Sequence, residues 1–285
     1  MQQSEKNKVE AATLYLVGTP IGNLADMTER AKKVLSEVCF VAAEDTRNSM
    51  KLLSYFGIHA ELVSYYEHNK RESGDKIVAR LLAGESCALI TDAGMPAISD
   101  PGEDLVRLCS EAGVTVRVVP GPSACVSALA LSGLPTARFS FEGFLPAQKN
   151  DRRRRLDALK NEERTMIFYE APHKLRATLE DMLSVFGGDR RISLCRELTK
   201  LNEEAHRTTL SEANDFYKEK EPRGEYVLVI EGGTGYEGED NPLNALSPEE
   251  HVSHYENLGM KRMDAIKAAA KDRGVSKSEL YKELI

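Results

Sequence analysis

The sequence of 285 residues contains no tryptophan and only five cysteines. The cysteines are scattered and odd in number without a CxxC pair, which excludes a disulfide framework and a zinc knuckle. No apolar run approaches the ~20 residues that a membrane-spanning helix needs, so we expect no membrane partner. The P-loop pattern and the GxSxG nucleophile elbow are also missing, which argues against the enzyme classes that depend on these motifs.

Signals for metal binding and for secretion are equally scarce. The six histidines form no HExxH pattern, and His251 and His254 lie in a polar stretch that indicates a surface helix, so no metal is expected. The amino-terminal segment has no apolar signal core, so we expect a cytoplasmic protein. Four cysteines have apolar neighbours and are expected to be buried, inert thiols: Cys39, Cys87, Cys109 and Cys125.

Positive charge is in deficit, with 38 Lys and Arg against 45 Asp and Glu and a formal net charge of -7. An acidic balance argues weakly against a nucleic-acid partner, because phosphate binding needs cations. The balance nevertheless hides two basic segments on an acidic body, residues 149–155 and 261–285. These are the two places where contact with RNA or DNA should be sought.

The pattern of apolar runs predicts an α/β chain in two blocks with a helical end. Residues 13–122 alternate short apolar runs with helical periodicity, which predicts a domain with a mostly parallel sheet. Residues 123–232 continue as a second α/β domain, where closely spaced strands predict a mixed sheet. Residues 233–247 are polar and Gly-rich and indicate a linker. Residues 248–285 predict a small helix-turn-helix-like domain, and residues 1–12 a flexible tail.

Polar or Gly/Pro-rich loops follow each of the five strands predicted in the first block. Because parallel strands all end at one edge of a sheet, these loops meet there, and ligands of open α/β sheets bind at that edge. Catalytic and binding groups concentrate on such loops. The loops therefore predict a composite site built from residues 18–24, 44–48, 66–69, 91–100 and 120–124.

Several charged groups near this edge have both a structural and a functional interpretation. The cluster of Glu44, Asp45 and Arg47 is either an ion-pair network or a proton acceptor beside a phosphate-binding or ribose-binding arginine. His68 is either structural or a second proton acceptor. The consecutive cations Arg152 to Arg155 form either a solvated helix face or a contact to a phosphate backbone.

The loops, in this order, resemble the tetrapyrrole-methylase fold of S-adenosylmethionine-dependent methyltransferases, and more narrowly the ribosomal RNA small subunit methyltransferase I family. The resemblance spans almost all of residues 13–232. The helical pair at the end of this chain resembles the small C-terminal domain of that family, but more weakly. The stretches that carry it are LYLVGTPIGNLADMTERA, VAAEDTRNSMKLL, EHN, LITDAGMPAISDPG, VVPGPSACVSALALSGLP, FEGFLP, MIFYEAPHKL and GEYVLVIEG.

The resemblance implies methylation of the 2′-hydroxyl of a cytidine in the decoding region of 16S rRNA, within the small ribosomal subunit, by a homodimer. It also implies that S-adenosylmethionine lies in the cleft between the two α/β domains, and that no metal is required. By motif, the expected cofactor contacts are Asp92, Ala93, Gly94, Met95, Pro96, Ile98, Ser99, Ser123 and Ala124, with Tyr169, Glu170, Arg223 and Gly224 from the second domain.

The same resemblance places the other loops toward the RNA. The expected catalytic set is Glu44, Asp45, Arg47 and His68, among which the proton acceptor is not decided. Tyr66, where relatives often carry histidine, is not expected to be an essential base. The expected RNA contacts are Pro20, Asn23, Thr46, Asn69, Arg152, Arg153, Arg154 and Arg155.

Two other functions remain compatible with the sequence. The first is a methyltransferase of the same fold that acts on a porphyrinoid, although the first loop, Thr19-Pro20-Ile21-Gly22-Asn23, departs from the Gly-Pro-Gly-Asp type of those relatives. The second is a non-enzymatic nucleic-acid-binding protein that uses the helical end. It leaves the loop-rich α/β scaffold unexplained.

Overall fold

The computed structural model describes residues 8–233, 242–275 and 277–284. Its first half is a sheet of five parallel strands in the order β3-β2-β4-β1-β5. Alternate residues of β1 enter different cores: Tyr15 packs with the helices on one face and Leu14 with those on the other. Both faces are therefore buried, as the continuous apolar runs predict. The strands are β1 (Thr13–Val17), β2 (Phe40–Ala43), β3 (Glu61–Ser64), β4 (Cys87–Ile90) and β5 (Thr115–Val119).

Four helices connect these strands and cover the sheet. Each connection leads from one parallel strand to the next, so every strand ends at the same edge. The helices are α1 (Glu29–Glu37), α2 (Thr46–Tyr55), α3 (Lys70–Leu82) and α4 (Gly102–Glu111).

The second half is a mixed sheet in the order β6-β7-β10-β8-β9. Only β6 and β7 are parallel, and the other neighbours are antiparallel. The prediction of a mixed second sheet is thus confirmed. Its strands are β6 (Phe139–Phe144), β7 (Thr165–Glu170), β8 (Arg191–Arg196), β9 (Glu204–Thr209) and β10 (Tyr226–Ile230). The helices of this half are α5 (Ala124–Ser132), α6 (Lys149–Ala158), α7 (Pro172–Phe186) and α8 (Leu210–Glu219).

The chain ends in three short helices with a small core of their own: α9 (Pro248–Asn257), α10 (Arg262–Asp272) and α11 (Lys277–Glu283). The helix predicted around His251 is present, but the prediction that it is a surface helix is wrong for His251, which is fully buried. Arg273 Nε donates to His251 Nδ1 at 3.1 Å, and His251 Nε2 lies 3.2 Å from an Asp272 carboxylate oxygen. Burial lowers the pKa of His251, and the network joins α9 to α10.

The structure describes only part of the expected flexible tail and of the expected linker. Residues 8–12 contact the first sheet, because Glu10 forms a 2.6 Å ion pair with Arg117 and its backbone N–H donates to the Tyr15 hydroxyl at 2.8 Å. Most of the predicted linker, residues 234–241, lies outside the described residues. The described part includes the short 3-10 helix Pro242–Ala245, where Asn244 donates to the Asp272 carbonyl at 2.9 Å.

One cysteine prediction is also wrong. Cys39 is exposed, while the other four cysteines are buried. It follows α1 at the start of β2 and is not part of the sheet interior. In the part of the chain that the structure describes, no helix is long and apolar enough to cross a bilayer.

The consecutive arginines of α6, Arg152 to Arg155, form ion pairs with carboxylates of the same domain. The Arg152 side chain is buried, and its guanidinium bonds Asp181 of α7 at 2.7–2.8 Å. Arg153 bonds the other oxygen of Asp181 at 2.7 Å, and Arg155 pairs with Glu142. The expected phosphate contact at Arg152 is therefore corrected to a structural role, because a buried guanidinium cannot reach an RNA backbone.

Asp181→Ala should lower the free energy of unfolding by about 3–5 kcal/mol, because it leaves the buried Arg152 guanidinium without a counter-charge. Although burial opposes ionisation of Asp181, the hydrogen bonds from Arg153 and Arg152 outweigh it and hold its pKa below the ordinary value. The stabilisation is thus complete above pH 3.8, the value for an unperturbed Asp. It is lost as the pH falls through the lower folded-state pKa.

The matched control is Asp151→Ala, which removes the exposed 2.8 Å pair with Arg154 and should cost at most about 1 kcal/mol. Denaturant unfolding measures both variants. Equal losses of stability in the two would contradict the structural role of Asp181.

Candidate active site

Two loops at the carboxyl edge of the first sheet are joined by their backbones. Thr19, after β1, and Gly94, after β4, exchange N–H···O bonds of 2.9 and 3.1 Å. The buried Thr19 hydroxyl also donates to the Thr91 carbonyl at 3.1 Å. The loop after β4 is thus fixed in place at the point where the strand ends meet.

A second close approach joins the loops after β1 and β5. A Cβ added to Gly18 would lie 2.7 Å from the Gly121 Cα, and one added to Gly121 would lie 2.9 Å from the Gly18 Cα. Only glycine permits two backbones to come this close. The first, fourth and fifth loops therefore form one packed rim.

Beyond this rim lies a cleft of about 500 Å³ between the two sheets. The first sheet contributes the loops after β1, β2, β4 and β5, and the second contributes the ends of β6, β7, β8 and β10. The cleft is lined by Ile21, Glu44, Thr91, Asp92, Ala93, Gly94, Met95, Ile98, Ser99, Asp100, Ser123, Ala124, Phe144, Tyr169, Glu170, Ala171, Pro172, Cys195, Leu198, Glu225, Tyr226 and Val227.

The structure brings together most of the residues predicted to hold a cofactor. Ten of them line the cleft: Asp92, Ala93, Gly94, Met95, Ile98, Ser99, Ser123, Ala124, Tyr169 and Glu170. Pro96, Arg223 and Gly224 are absent from this lining. Arg223 is instead paired with Glu221 at 3.3 Å, and Gly224, with φ +78°, lies against Glu197.

Glu170 reaches the cleft with its carboxylate already engaged. One oxygen accepts the Ala171 N–H at 2.9 Å and the other accepts the Thr178 hydroxyl at 2.5 Å. It therefore shapes the start of α7 as well as the wall of the cleft.

Asp100 lies in the predicted loop 91–100 and lines the cleft, but it was not among the expected cofactor contacts. One carboxylate oxygen accepts the N–H groups of Ala97 and Gly102 at 3.0 and 2.7 Å. This holds Ala97 and Ser99 in left-handed conformations, with φ of 68° and 63°. Such conformations cost of order 1–3 kcal/mol each and persist at ligand-binding sites. The other oxygen is buried and has no hydrogen-bond partner among the described residues, and Asp100 lines the cleft.

Phe144 was missed for a different reason. A bulge shifts the β6–β7 register between Phe141 and Gly143, and the Phe144 ring, which is more than half exposed, packs edge-on against Tyr169 at 5.5 Å. Bulges re-aim side chains near active sites. No simple alternation of strand residues would have placed this ring at the cleft.

The cleft is acidic. Its described lining includes five carboxylates, Glu44, Asp92, Asp100, Glu170 and Glu225, and no lysine or arginine. Such a concentration of one sign of charge favours a cationic ligand over an anionic one. Among the described residues, no group of three or more His, Cys, Asp or Glu side chains is arranged to hold a metal ion.

Among the predicted proton acceptors, only Glu44 lines the cleft. The Thr91 hydroxyl donates to it at 3.2 Å. Partial burial raises the pKa of Glu44 above its ordinary value, and the charges of Asp92 and Asp100 raise it further against the effect of this bond. Glu44 is therefore a stronger base than an ordinary carboxylate.

The neighbouring candidates have structural partners. Asp45 caps α2 by accepting the Arg47 N–H at 2.9 Å and also binds the Arg47 guanidinium. The hydrogen bond from the Arg47 side chain lowers the pKa of Asp45. Asn69 bridges the Tyr66 N–H and the Ser64 carbonyl, and His68 lies edge-on to Tyr66 at 6.2 Å.

A smaller cavity of about 180 Å³ adjoins the cleft and shares Thr91 and Asp92 with it. Of the predicted RNA contacts, Pro20 lines this cavity, Thr46 begins α2, and Asn23 caps the short 3-10 helix Leu24–Asp26. The cavity is lined by Pro20, Gly22, Leu24, Asn48, Ser49, Leu52, Thr91 and Asp92.

Gly18→Ala and Gly121→Ala should each destabilise the chain by about 1–3 kcal/mol, because the added methyl meets backbone and cannot be relieved by a side-chain rotation. Both variants force the same two loops apart, so the double variant should cost clearly less than the sum. Gly188→Ala, whose Cβ would lie an ordinary 3.4 Å from Ser211, is the control. Additive losses in denaturant unfolding would show that the two loops do not share one contact.

Comparison with known proteins agrees with the fold. The sequence model of the family described as Tetrapyrrole (Corrin/Porphyrin) Methylases matches residues 13–214. A protein named ribosomal RNA small subunit methyltransferase I from Halalkalibacterium halodurans is 50% identical over 281 residues, which is 98% of this chain and 97% of that protein. The protein of the same name from Bacillus subtilis is 46% identical over 282 residues, covering 98% of this chain and 96% of its own length.

Solved structures share the fold at low identity. Uroporphyrin-III-C-methyltransferase from Thermus thermophilus superposes with a TM-score of 0.55 and 20% identity, covering 77% of this chain and 94% of its own. Diphthine synthase superposes with a TM-score of 0.59 and 15% identity, covering 78% of this chain and 91% of its own. A further structure of the Thermus thermophilus enzyme is complexed with S-adenyl homocysteine. The chain therefore belongs to the tetrapyrrole methylase family and, within it, to the ribosomal RNA small subunit methyltransferase I family.

Proposed function

We propose that this chain transfers a methyl group from S-adenosylmethionine to the ribose 2′-hydroxyl of a cytidine in the decoding region of 16S rRNA. It acts on the small ribosomal subunit, as a cytoplasmic homodimer. The observation that carries the proposal is the 50% identity over 98% of the chain to a protein named ribosomal RNA small subunit methyltransferase I.

The cleft between the sheets suits the methyl donor. S-adenosylmethionine carries a cationic sulfonium and an ammonium group, and the five carboxylates of the lining favour both charges. The unpartnered oxygen of Asp100 accepts a ligand N–H or O–H, and the loop of Ala93 and Gly94 allows a ligand to approach the backbone. Phe144 and Tyr169 supply an aromatic wall.

The smaller cavity suits the reacting nucleoside. It adjoins the cleft at Thr91 and Asp92, and Glu44 lies beside the same Thr91. A ribose that enters this cavity therefore reaches both the donor methyl and the Glu44 carboxylate. The phosphates of the RNA stay outside, since the acidic cleft repels them.

When bound, the donor supplies an electrophilic methyl carbon on sulfur. The ribose oxygen forms a bond to that carbon as the carbon–sulfur bond breaks and its electron pair goes to sulfur. Glu44 takes the hydroxyl proton, and its raised pKa matches this task. The remaining work of the protein is to hold the oxygen in line with the breaking bond.

Contacts to the RNA backbone come from cations outside the cleft. Arg154 is the most exposed arginine of the basic run, and its pair with Asp151 is a surface pair that phosphate can replace. The terminal helices present further exposed cations: Lys261, Arg262, Lys267, Lys277 and Lys282.

Transfer of isotopically labelled methyl from S-adenosylmethionine to small subunits lacking the modification tests the proposal. Nucleoside mass spectrometry should find the label in 2′-O-methylcytidine. Label found in a base of the RNA would overturn the proposal. Label found in a porphyrinoid that is offered in competition, with none in the RNA, would also overturn it.

Glu44→Gln should lower the rate of methyl transfer about 10²–10⁴-fold without weakening donor binding, because the amide cannot accept the proton. In the wild type, the rate should rise with pH through a pKa above 4.5, the ordinary value for Glu. The variant should lack this rise.

Asp45→Asn is the matched control, because asparagine preserves the helix cap. Its rate and pH profile should stay close to those of the wild type. If Asp45→Asn lowered the rate of methyl transfer more than Glu44→Gln does, Asp45 would be the proton acceptor instead of Glu44.

A further inference from the structure

The turn between β8 and β9, residues 197–203, is held rigidly. Glu197 and Thr199 adopt left-handed conformations with φ of 51° and 64°. Lys200 bonds the carboxylates of Glu197 and Glu225 at 2.9 and 2.8 Å, and the Thr199 N–H donates to Glu203 at 2.6 Å. Strained backbone of this kind persists only where surrounding contacts determine it.

This turn contacts residues of both adjoining cavities. Leu198 is buried and lines the acidic cleft. The Lys200 side chain covers Gly22, where an added Cβ would lie 2.4 Å from the Lys200 Cγ. Gly22 in turn lines the smaller cavity. Leu201 directly follows Lys200 and so belongs to a turn that contacts residues of both cavities.

The Leu201 side chain is 99% exposed. Burying a leucine is worth about 1.5–3 kcal/mol, so Leu201 contributes nothing of this kind to the fold. Its followers, Asn202 and Glu203, are exposed and polar, so the tip does not form a broad apolar patch of the type that joins protein surfaces. It is a single apolar side chain held on a rigid support.

We propose that Leu201 is a wedge that inserts between bases of the structured RNA and fills the space left when the target nucleotide turns into the smaller cavity. Apolar side chains inserted between base steps unstack them, and the nucleoside that the proposed function places in the smaller cavity must leave its base stack to enter it. Leu201 is thus a positioning residue, and the proposal depends on the function proposed above.

The test compares Leu201→Ser with Leu201→Met, which keeps an apolar tip. Leu82→Ser at the end of α3 is the control, because Leu82 is also well exposed. The first readout is the fluorescence of 2-aminopurine placed beside the target nucleotide in an RNA helix, which rises when the base unstacks. We expect Leu201→Ser to reduce this rise about fivefold or more, and Leu201→Met and Leu82→Ser to leave it within about twofold of wild type.

The second readout is kcat/KM for methyl transfer. Leu201→Ser should lower it about tenfold on small subunits. The loss should largely disappear when the base opposite the target is deleted from the RNA, because the nucleotide is then already free. Donor affinity, measured by calorimetry, should not change.

The outcomes separate the two proposals. If the wild type transfers no methyl to RNA, the proposed function fails and the wedge fails with it. If the wild type is active and Leu201→Ser matches it on both readouts, only the wedge is overturned. A loss that persists after the opposing base is deleted, or that accompanies dissociation of a dimer in sedimentation, would also overturn the wedge.

Discussion

The site depends on the close approach of three loops at one edge of the parallel sheet. Gly18 and Gly121 bring two backbones into direct contact, and the exchange of hydrogen bonds between Thr19 and Gly94 ties the third loop to them. This packing fixes where the Asp92–Met95 backbone faces the second sheet. The position of the acidic cleft and its border with the smaller cavity depend on this packing.

Negative charge is concentrated inside the cleft, and exposed positive charge lies outside it. The cleft holds five carboxylates, while exposed cations lie on α6 and on the terminal helices. A cationic donor and an anionic RNA are therefore drawn to different surfaces of one molecule. In the proposed function they meet where the smaller cavity adjoins the cleft, at Thr91 and Asp92, next to Glu44. The net charge of -7 is thus compatible with an RNA substrate.

Local patterns were sufficient to predict that the loops of the first sheet meet at one edge. The strand ends and their loops predicted the Asp92–Met95 part of the site, because parallel strands must present their carboxyl ends together. The sequence could not show that Arg152 is buried, since its partner Asp181 lies 29 residues away on another helix. Nor could it show the bulge that turns Phe144 toward Tyr169, or the burial of His251 by its contacts to Asp272 and Arg273. Each of these depends on tertiary packing and leaves no periodic signal.

The most direct measurement of the central claim is a crystal structure of the chain with S-adenosylhomocysteine and a cytidine bound. The account predicts that the cofactor product occupies the cleft between the two sheets, in contact with Asp100 and the loop of Asp92 to Met95. It further predicts that the cytidine lies in the smaller cavity, with its 2′-hydroxyl facing Glu44 and the sulfur. Cofactor density elsewhere, or a cytidine whose ribose points away from Glu44, would contradict it.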